Sequence, residues 1–392
     1  MTIEHFAADR AGALARLAEF APRMGPHYAA GRNTDAGPGQ RPDVSRLSPA
    51  LRHRLVSEAE LVRVALDQHG LARAEKFIQE VFWRSYWKGF LELRPALWTS
   101  YQAELAETLM ALRTQGGLRR AVERAEAGET GIACFDAWMA ELRETGWLHN
   151  HTRMWFASIW IFTLRLPWTL GADLFLRHLL DGDAASNTLS WRWVAGMQTA
   201  GKHYVARAEN IARYTNGRFD PVGALDENPL PLEAPPLPPL RPLRPADSLP
   251  AGPVALLLHE DDLHPESLLP PGTRVTAIAG VAVPEARSPM GCSDRVAGYV
   301  RAALGDGLAR AGAHFKAPTL LLTPSEVAGW IAQHTVPVVS PWAPVGWTAE
   351  ALAGAKLLRL RRDWDSACWP RAIKGFFPFK AGIPELCRTI AA

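Results

Sequence analysis

The chain has 392 residues, 48% of them hydrophobic and 21% charged, with 43 Lys and Arg against 40 Asp and Glu for a net charge of +3. That length and balance imply two domains, or three, with real cores, and exclude disorder over most of the chain. The four cysteines, Cys134, Cys292, Cys368 and Cys387, lie far apart with no CxxC pair, which excludes a disulfide scaffold and argues against a zinc or iron–sulfur centre.

The opening MTIEHFAADRAGALARL places charges within its apolar stretch and lacks the apolar core of a signal peptide. No apolar run approaches the ~18 residues that a membrane span requires. A cytoplasmic protein with no membrane partner is the expectation. The charge is too mild to demand a nucleic-acid partner but permits a basic groove on one face. Fifteen tryptophans exceed what packing ordinarily needs. Such rings serve base stacking, flavin contact or electron transfer, or simply fill the core.

In chain order, Ser45 and Ser48 in VSRLSPALR precede a helical stretch with Pro49 in its first turn, either a common helix cap or a cradle for phosphate. Residues 61–90 have apolar positions at three- and four-residue spacing, with Gly70 as a break. Within this stretch EVFWRSYW puts Glu80, Trp83, Arg84 and Trp87 on one helix face. Those four read either as a structural salt bridge with packing rings or as a site. Residues 136–147 and 154–166 are further helices. GWLHNHTRM places Asn150, Arg153 and Met154 on one face. Its two histidines, His149 and His151, are too close for the usual metal spacing, so no metal is expected. In LLDGDAASNTLSWRW, Asp181 and Asp183 repel each other unless a cation or donor separates them. Arg153 is the obvious counter-ion. A cap at Asp183 or Ser186 accounts for the carboxylate but not for Trp191 and Trp193.

Residues 228–253 are too rich in proline to continue a helix and form a semi-rigid linker. Short apolar runs at 254–259, 274–279, 319–322 and 336–339 then alternate with helical periodicity at 295–311 and 325–334, which predicts a parallel, doubly wound sheet. It carries neither GxGxxG nor GxxxxGK[ST]. The tail, 354–392, holds eight Lys and Arg against three Asp and Glu. Its Trp369, Phe376, Phe377 and Phe379 argue that it packs on something.

Taken in order, SRLSP, EVFWRSYW, GWLHNHTRM and DGDAASNTLSWRW closing with RFDP, the sequence resembles the FAD-binding domain of the DNA photolyase and cryptochrome family over about residues 21–221. The fold class this implies is multidomain: an all-α FAD-binding domain (1–227), the linker (228–253), a smaller Rossmann-like α/β domain similar to an antenna domain (254–350) and a basic aromatic segment (351–392). Most members place the α/β domain first, so a circular rearrangement is suspected, with an unrelated α/β addition as the alternative. No antenna pigment can be assigned.

The resemblance also implies roles. Tyr28, Ser45, Arg46, Leu47 and Ser48 would hold the FAD phosphates and adjacent groups, with Val44 in place of the family's Thr and Phe77 in place of a common Trp. Arg153 would pair with Asp181 beside the flavin ring, Asp183 would contact its edge, and Asn187 would face flavin N5. Glu80, Trp83, Arg84, Asn150, Met154 and Trp193 match the positions lining a pocket for a flipped cyclobutane dimer. The two tryptophans would clamp the dimer, Glu80 and Asn150 would hydrogen-bond it, Arg84 would hold a flanking phosphate and Met154 would fill the apolar edge. Asn150 and Met154 replace the histidine pair of members that repair (6-4) products. Trp191 and Trp168 would be the proximal and middle members of an electron relay whose outer position, within 115–125, has no Trp. The implied function is light-driven, FAD-dependent cleavage of pyrimidine dimers in DNA. The alternative is a cryptochrome-like blue-light photoreceptor.

Overall fold

The computed structural model describes residues 6–199 and 201–390. The described residues divide into two compact units, each assembled from separated stretches of sequence: one from residues 30–44 and 96–239, the other from 6–29, 45–95 and 240–390.

The first unit is helical. Its helices run Ala96–Thr114, Gly116–Ala127, Ala133–Thr145, Asn150–Ser158, Trp168–His178, Ala184–Val194 and Ala208–Tyr214. Gly128 and Gly146 end two of them in the left-handed conformation that glycine adopts without steric cost. The stretch predicted at 154–166 is one helical path whose last turn, Ile159–Thr163, widens to π geometry. Phe135, Trp138, Trp155, Phe156, Trp160 and Trp191 form its fully buried core. Trp138 stacks on Trp155 at 5.6 Å. Gly171 admits the Trp191 ring to the flank of the helix Trp168–His178, since a Cβ there would sit 2.3 Å from it.

The second unit combines helices with a parallel five-stranded sheet. The long helix Glu58–Glu92 starts at a capping box in which Ser57 and Glu60 satisfy each other's backbone donors. The break expected at Gly70 is a kink, with φ of 69° inside a helix that otherwise continues. The strands are β1 (Val254–His259), β2 (Val275–Val281), β3 (Thr319–Leu322), β4 (Val338–Pro341) and β5 (Leu358–Leu360), in the order β3-β2-β1-β4-β5. β1 and β3 begin and end where the sequence predicts. β2 and β4 are shifted toward their C-terminal ends, and β5 is additional. All six residues of β1 are buried, as a central parallel strand covered on both faces requires. The helix Asp294–Phe315 follows β2, and its Leu304 and Leu308 reach within about 3 Å of where a side chain at Gly280 would project.

The linker has neither helix nor strand but is not loose. In its part within the first unit, Leu232 donates its N–H to Ala195. In its part within the second, Arg241 donates to Leu93 and Asp247 to Arg359.

Candidate active site

In the first unit the predicted counter-ion pair is formed. Arg153 Nη1 and Nη2 reach the two carboxylate oxygens of Asp181 at 2.9 and 2.8 Å, and its Nε donates to the Leu148 carbonyl at 2.9 Å. The fork is therefore fixed at three points, while the arginine side chain keeps 23% of its exposure. Asp183 caps the helix Ala184–Val194, accepting from the N–H groups of Ala185 and Ser186. One turn on, Asn187 donates its amide to the Ala172 carbonyl at 2.8 Å. That bond fixes the orientation of the amide and leaves its oxygen as the acceptor.

The same helix has spare hydrogen-bonding capacity. Ser186 Oγ, Thr188 Oγ1 and Trp191 Nε1 are buried without a hydrogen-bond partner among the described residues. Buried polar groups are normally satisfied, so this helix is short of a polar partner. A flat ligand edged with carbonyl and imide groups supplies what is missing, and the residues present fit a flavin.

Asn150 opens the helix Asn150–Ser158 and is exposed, and Arg153 and Met154 are half-buried. Beneath this helix start lies an ion network that the sequence did not announce. Asp35 accepts from Arg41 Nε at 2.6 Å, from Thr152 Oγ1 at 2.5 Å and from the Gly37 N–H, and Arg41 also pairs with Glu141. It ties residues 35–41 to the helices that carry Glu141 and Thr152. The Arg41 guanidinium holds the Asp35 carboxyl below its usual range against the cost of burial. Burial pushes His149 down to about 4, and its Nδ1 accepts the N–H of His151. His149 is thus a neutral helix cap.

Trp191 meets Trp160 edge to face at 6.5 Å and Phe175 at 5.1 Å. Trp168 donates its Nε1 to Glu104 at 2.7 Å and lies 5.6 Å from Tyr101, which in turn lies 5.3 Å from Trp98. The helix Gly116–Ala127 contains no aromatic residue.

In the second unit, the backbone at Arg46 is left-handed, with φ of 55°. Ser45 accepts from Arg16 Nε through its carbonyl, while its hydroxyl accepts the Leu47 N–H. The helix Ser48–Arg52 follows, with Pro49 in its first turn. Tyr28 and Phe77 meet edge to face at 5.2 Å, and Phe20 completes the trio. Glu80, Trp83 and Arg84 are all half-buried on the long helix. Arg84 donates to the Arg52 carbonyl at 3.3 Å. The Trp83 ring is stacked on Phe376, with centroids 3.5 Å apart and planes 10° from parallel. Sequence reasoning placed Phe376 in a packed segment without a partner, because nothing local links a C-terminal ring to a helix almost 300 residues earlier.

Trp83 and Trp193 stand apart from the other tryptophans. Thirteen of the fifteen are buried in the cores, and these two alone are not. Each has a single stacked aromatic neighbour: Phe376 for Trp83, and Tyr204 at 5.7 Å for Trp193.

The model of the FAD-binding domain of DNA photolyase matches residues 77–227. Those residues are similar to the FAD-binding domain of that family. Among curated photolyases, the chain is 40% identical over 156 residues to the deoxyribodipyrimidine photo-lyase of Streptomyces griseus, covering 40% of this chain and 32% of that one. It is 33% identical over 198 residues to that of Synechococcus, covering 47% and 38%. Among solved structures, a class III photolyase from Agrobacterium tumefaciens matches at 26% identity and a TM-score of 0.44, over 53% of this chain and 43% of that one. The chain thus spans about a third to two fifths of the length of these two curated photolyases. The family match contains the Arg153–Asp181 pair and Asn187 but stops before the sheet. Among the described residues, no group of three or more His, Cys, Asp or Glu is placed to hold a metal, and no helix is long and apolar enough to cross a membrane.

Proposed function

We propose that this chain is a light-driven DNA repair lyase that binds reduced FAD and splits cyclobutane pyrimidine dimers. The observation that carries the reading is the pair of partly exposed tryptophans. A protein that buries thirteen indoles leaves open Trp83 and Trp193, the two that the family resemblance assigns to a flat lesion. Burying a Trp contributes a few kcal/mol, so leaving both accessible forgoes stability in favour of a ligand that stacks.

When bound, the flavin would supply light-driven one-electron chemistry for splitting the dimer. The protein's residues bind and orient. The Arg153–Asp181 fork and the Asn187 amide oxygen address the flavin ring. Asp183 caps the helix that presents them, with Ser186 beside it as a further donor. Tyr28, Ser45, Arg46, Leu47, Ser48 and Phe77 address the remainder of the cofactor, where hydroxyls and a helix start suit phosphate. On the DNA side Trp83 and Trp193 stack on the lesion, Glu80 and Asn150 hydrogen-bond its polar edge, Met154 supplies apolar contact and Arg84 holds a phosphate. Trp191 and Trp168 serve electron entry to the flavin. We retain residues 1–227 as the FAD-binding domain, 254–350 as the antenna-like α/β domain and a cytoplasmic location as parts of this proposal.

One observation favours the second reading, a cryptochrome-like photoreceptor without repair: the outer relay position falls in a helix without any aromatic ring. A single experiment separates the two. Purified protein with bound flavin, reduced and illuminated, should restore thymine absorbance to UV-damaged oligo-dT. Glu80→Ala and Trp83→Ala should each lower the repair rate about tenfold or more while bound flavin is unchanged. Flavin binding without repair would favour the photoreceptor, and full repair by both variants would remove the lesion-pocket assignment.

A further inference from the structure

The segment carrying Phe376 shows more than a partner for Trp83. It is held firmly. Phe376 and Phe379 are buried, with Phe379 packing on Phe82 and Tyr86. Tyr86 donates its hydroxyl to the Lys374 carbonyl at 2.8 Å, and Arg94 donates to the Ile373 carbonyl at the same distance. Just before it, Trp369 lies so close to the long helix that a Cβ at Gly89 would sit 2.7 Å from its Cα. Yet this fixed backbone turns apolar side chains outward: Phe377 is 81% exposed and Ile373 43%.

The charges within the segment itself have one sign. Between Asp365 and Glu385 there is no acidic residue, while Arg371, Lys374 and Lys380 are all basic. Arg371 is paired with Glu385 and Lys380 with Glu75. Both pairs are at least partly exposed, and such pairs cost little to exchange for another anion. Lys374 is exposed on the same turn as Ile373. A rigid exposed ring flanked by cations, on the segment that backs a half-exposed indole, suits a polyanion with flat apolar faces.

We propose that residues 371–380 form a nucleic-acid contact surface in which Phe377 stacks on, or wedges beside, an unpaired base while Lys374 neutralises a phosphate. The surface extends the lesion site at Trp83, and so rests on the repair reading above.

The test uses the full chain with flavin bound and a 15-mer duplex carrying one thymine dimer, with the undamaged duplex as reference. Fluorescence anisotropy gives Kd across a salt series. Phe377→Ala should weaken damaged-duplex binding roughly fivefold or more, with flavin content and melting temperature unchanged, and Phe377→Trp should restore it. Lys374→Ala should lower the slope of log K against log salt by about one contact. If wild type distinguishes damaged DNA and all three variants match it, this inference fails and the repair reading stands. If Phe377→Ala instead changes the sedimentation of the free protein and leaves DNA binding intact, the surface serves self-association and the proposal is overturned. If wild type neither prefers damaged DNA nor repairs it, the repair reading falls first and this surface with it.

Discussion

Two charged clusters in this protein look alike in sequence and differ in their chemistry. The DGD segment of the first unit and the His259–Asp262 run (HEDD) after β1 each pack carboxylates close together and use arginines to separate them. The HEDD run is saturated. Arg54 binds Glu58, Asp262 and Asp365 at once, and Asp262 also takes both arms of Arg362. Arg52 pairs with Asp261, and Glu260 accepts from Trp347 Nε1 and the Val283 N–H. Each of these carboxylates is met from within the second unit, although the run follows the central strand whose end, in sheets of this strand order, commonly faces a ligand. The DGD cluster has a partly exposed guanidinium, and the next helix carries four buried polar atoms without a hydrogen-bond partner among the described residues, Ser186 Oγ, Thr188 Oγ1, Trp191 Nε1 and Arg192 Nε. Charge density alone therefore does not mark a site. The exposure of the paired arginine separates the two better, since buried polar atoms without a hydrogen-bond partner, such as His53 Nε2 beside the HEDD run, also occur in the second unit.

Arg54→Met is the strongest way to break this contrast. It leaves three buried carboxylates around an apolar side chain, and removing one partner from such a network costs about 3–5 kcal/mol. The residue also occupies a left-handed backbone position, with φ of 51°, which its ion pairs hold in place. Urea denaturation should show that loss, or no folded protein at all. If the variant is as stable as wild type, the saturated cluster is not structural.

Asp181→Asn is the matching change on the other side. The charge-assisted fork to Arg153 is weakened, so flavin affinity should fall roughly 10- to 100-fold while the far-UV spectrum and melting temperature change little. Flavin-to-protein ratio after gel filtration is the readout. A variant that unfolds but, when folded, keeps its flavin would place this pair with the structural cluster.

Part of this was legible in the sequence. The repulsion between Asp181 and Asp183 called for a cation, and Arg153 supplies it. Asp183 is the cap expected from its place before an apolar helical run. β1 is visible because a central parallel strand must be apolar throughout. β5 was missed because three residues, one of them Arg359, carry too little pattern. The saturated cluster was invisible for another reason: Arg54 meets Asp262 and Asp365 across 208 and 311 residues, and no local periodicity encodes such pairings. The same distance hid the Trp83–Phe376 stack.

Acid should affect both clusters through their neutral histidines. Burial lowers His149, His178 and His264 to about 4, so between that value and the ordinary 6.5 the unfolded chain binds more protons than the folded one. Stability then rises with pH across this window and is lost on acidification from about 6.5 toward 4. Glu141, raised by burial to about 6, acts in the opposite sense, as do the carboxyls of Glu92, Glu104 and Asp365, which burial also raises, while His53 and His151 are lowered by burial and act with the three histidines. The melting temperature should fall between pH 7 and pH 4.5. His149→Gln should flatten that fall by up to about 3 kcal/mol, and an unchanged profile would mean that this imidazole is not held neutral.

The smallest expected effect is at Gly70. A Cβ there meets nothing within 4 Å, so Gly70→Ala tests only the cost of the backbone at φ 69° and ψ 163°, about 1–3 kcal/mol. Chemical denaturation should detect it, with flavin content unaffected.

The wide separation of Arg54 from its partners also bears on biosynthesis. A chain emerging from the ribosome exposes Arg54 early with only its local partner Glu58, and its other two carboxylate partners, Asp262 and Asp365, arrive only after some 200 and 300 further residues. Until then the buried network around Arg54 is incomplete. Maturation of the second unit must therefore wait for the last part of translation, whereas residues 96–239 can consolidate before it ends.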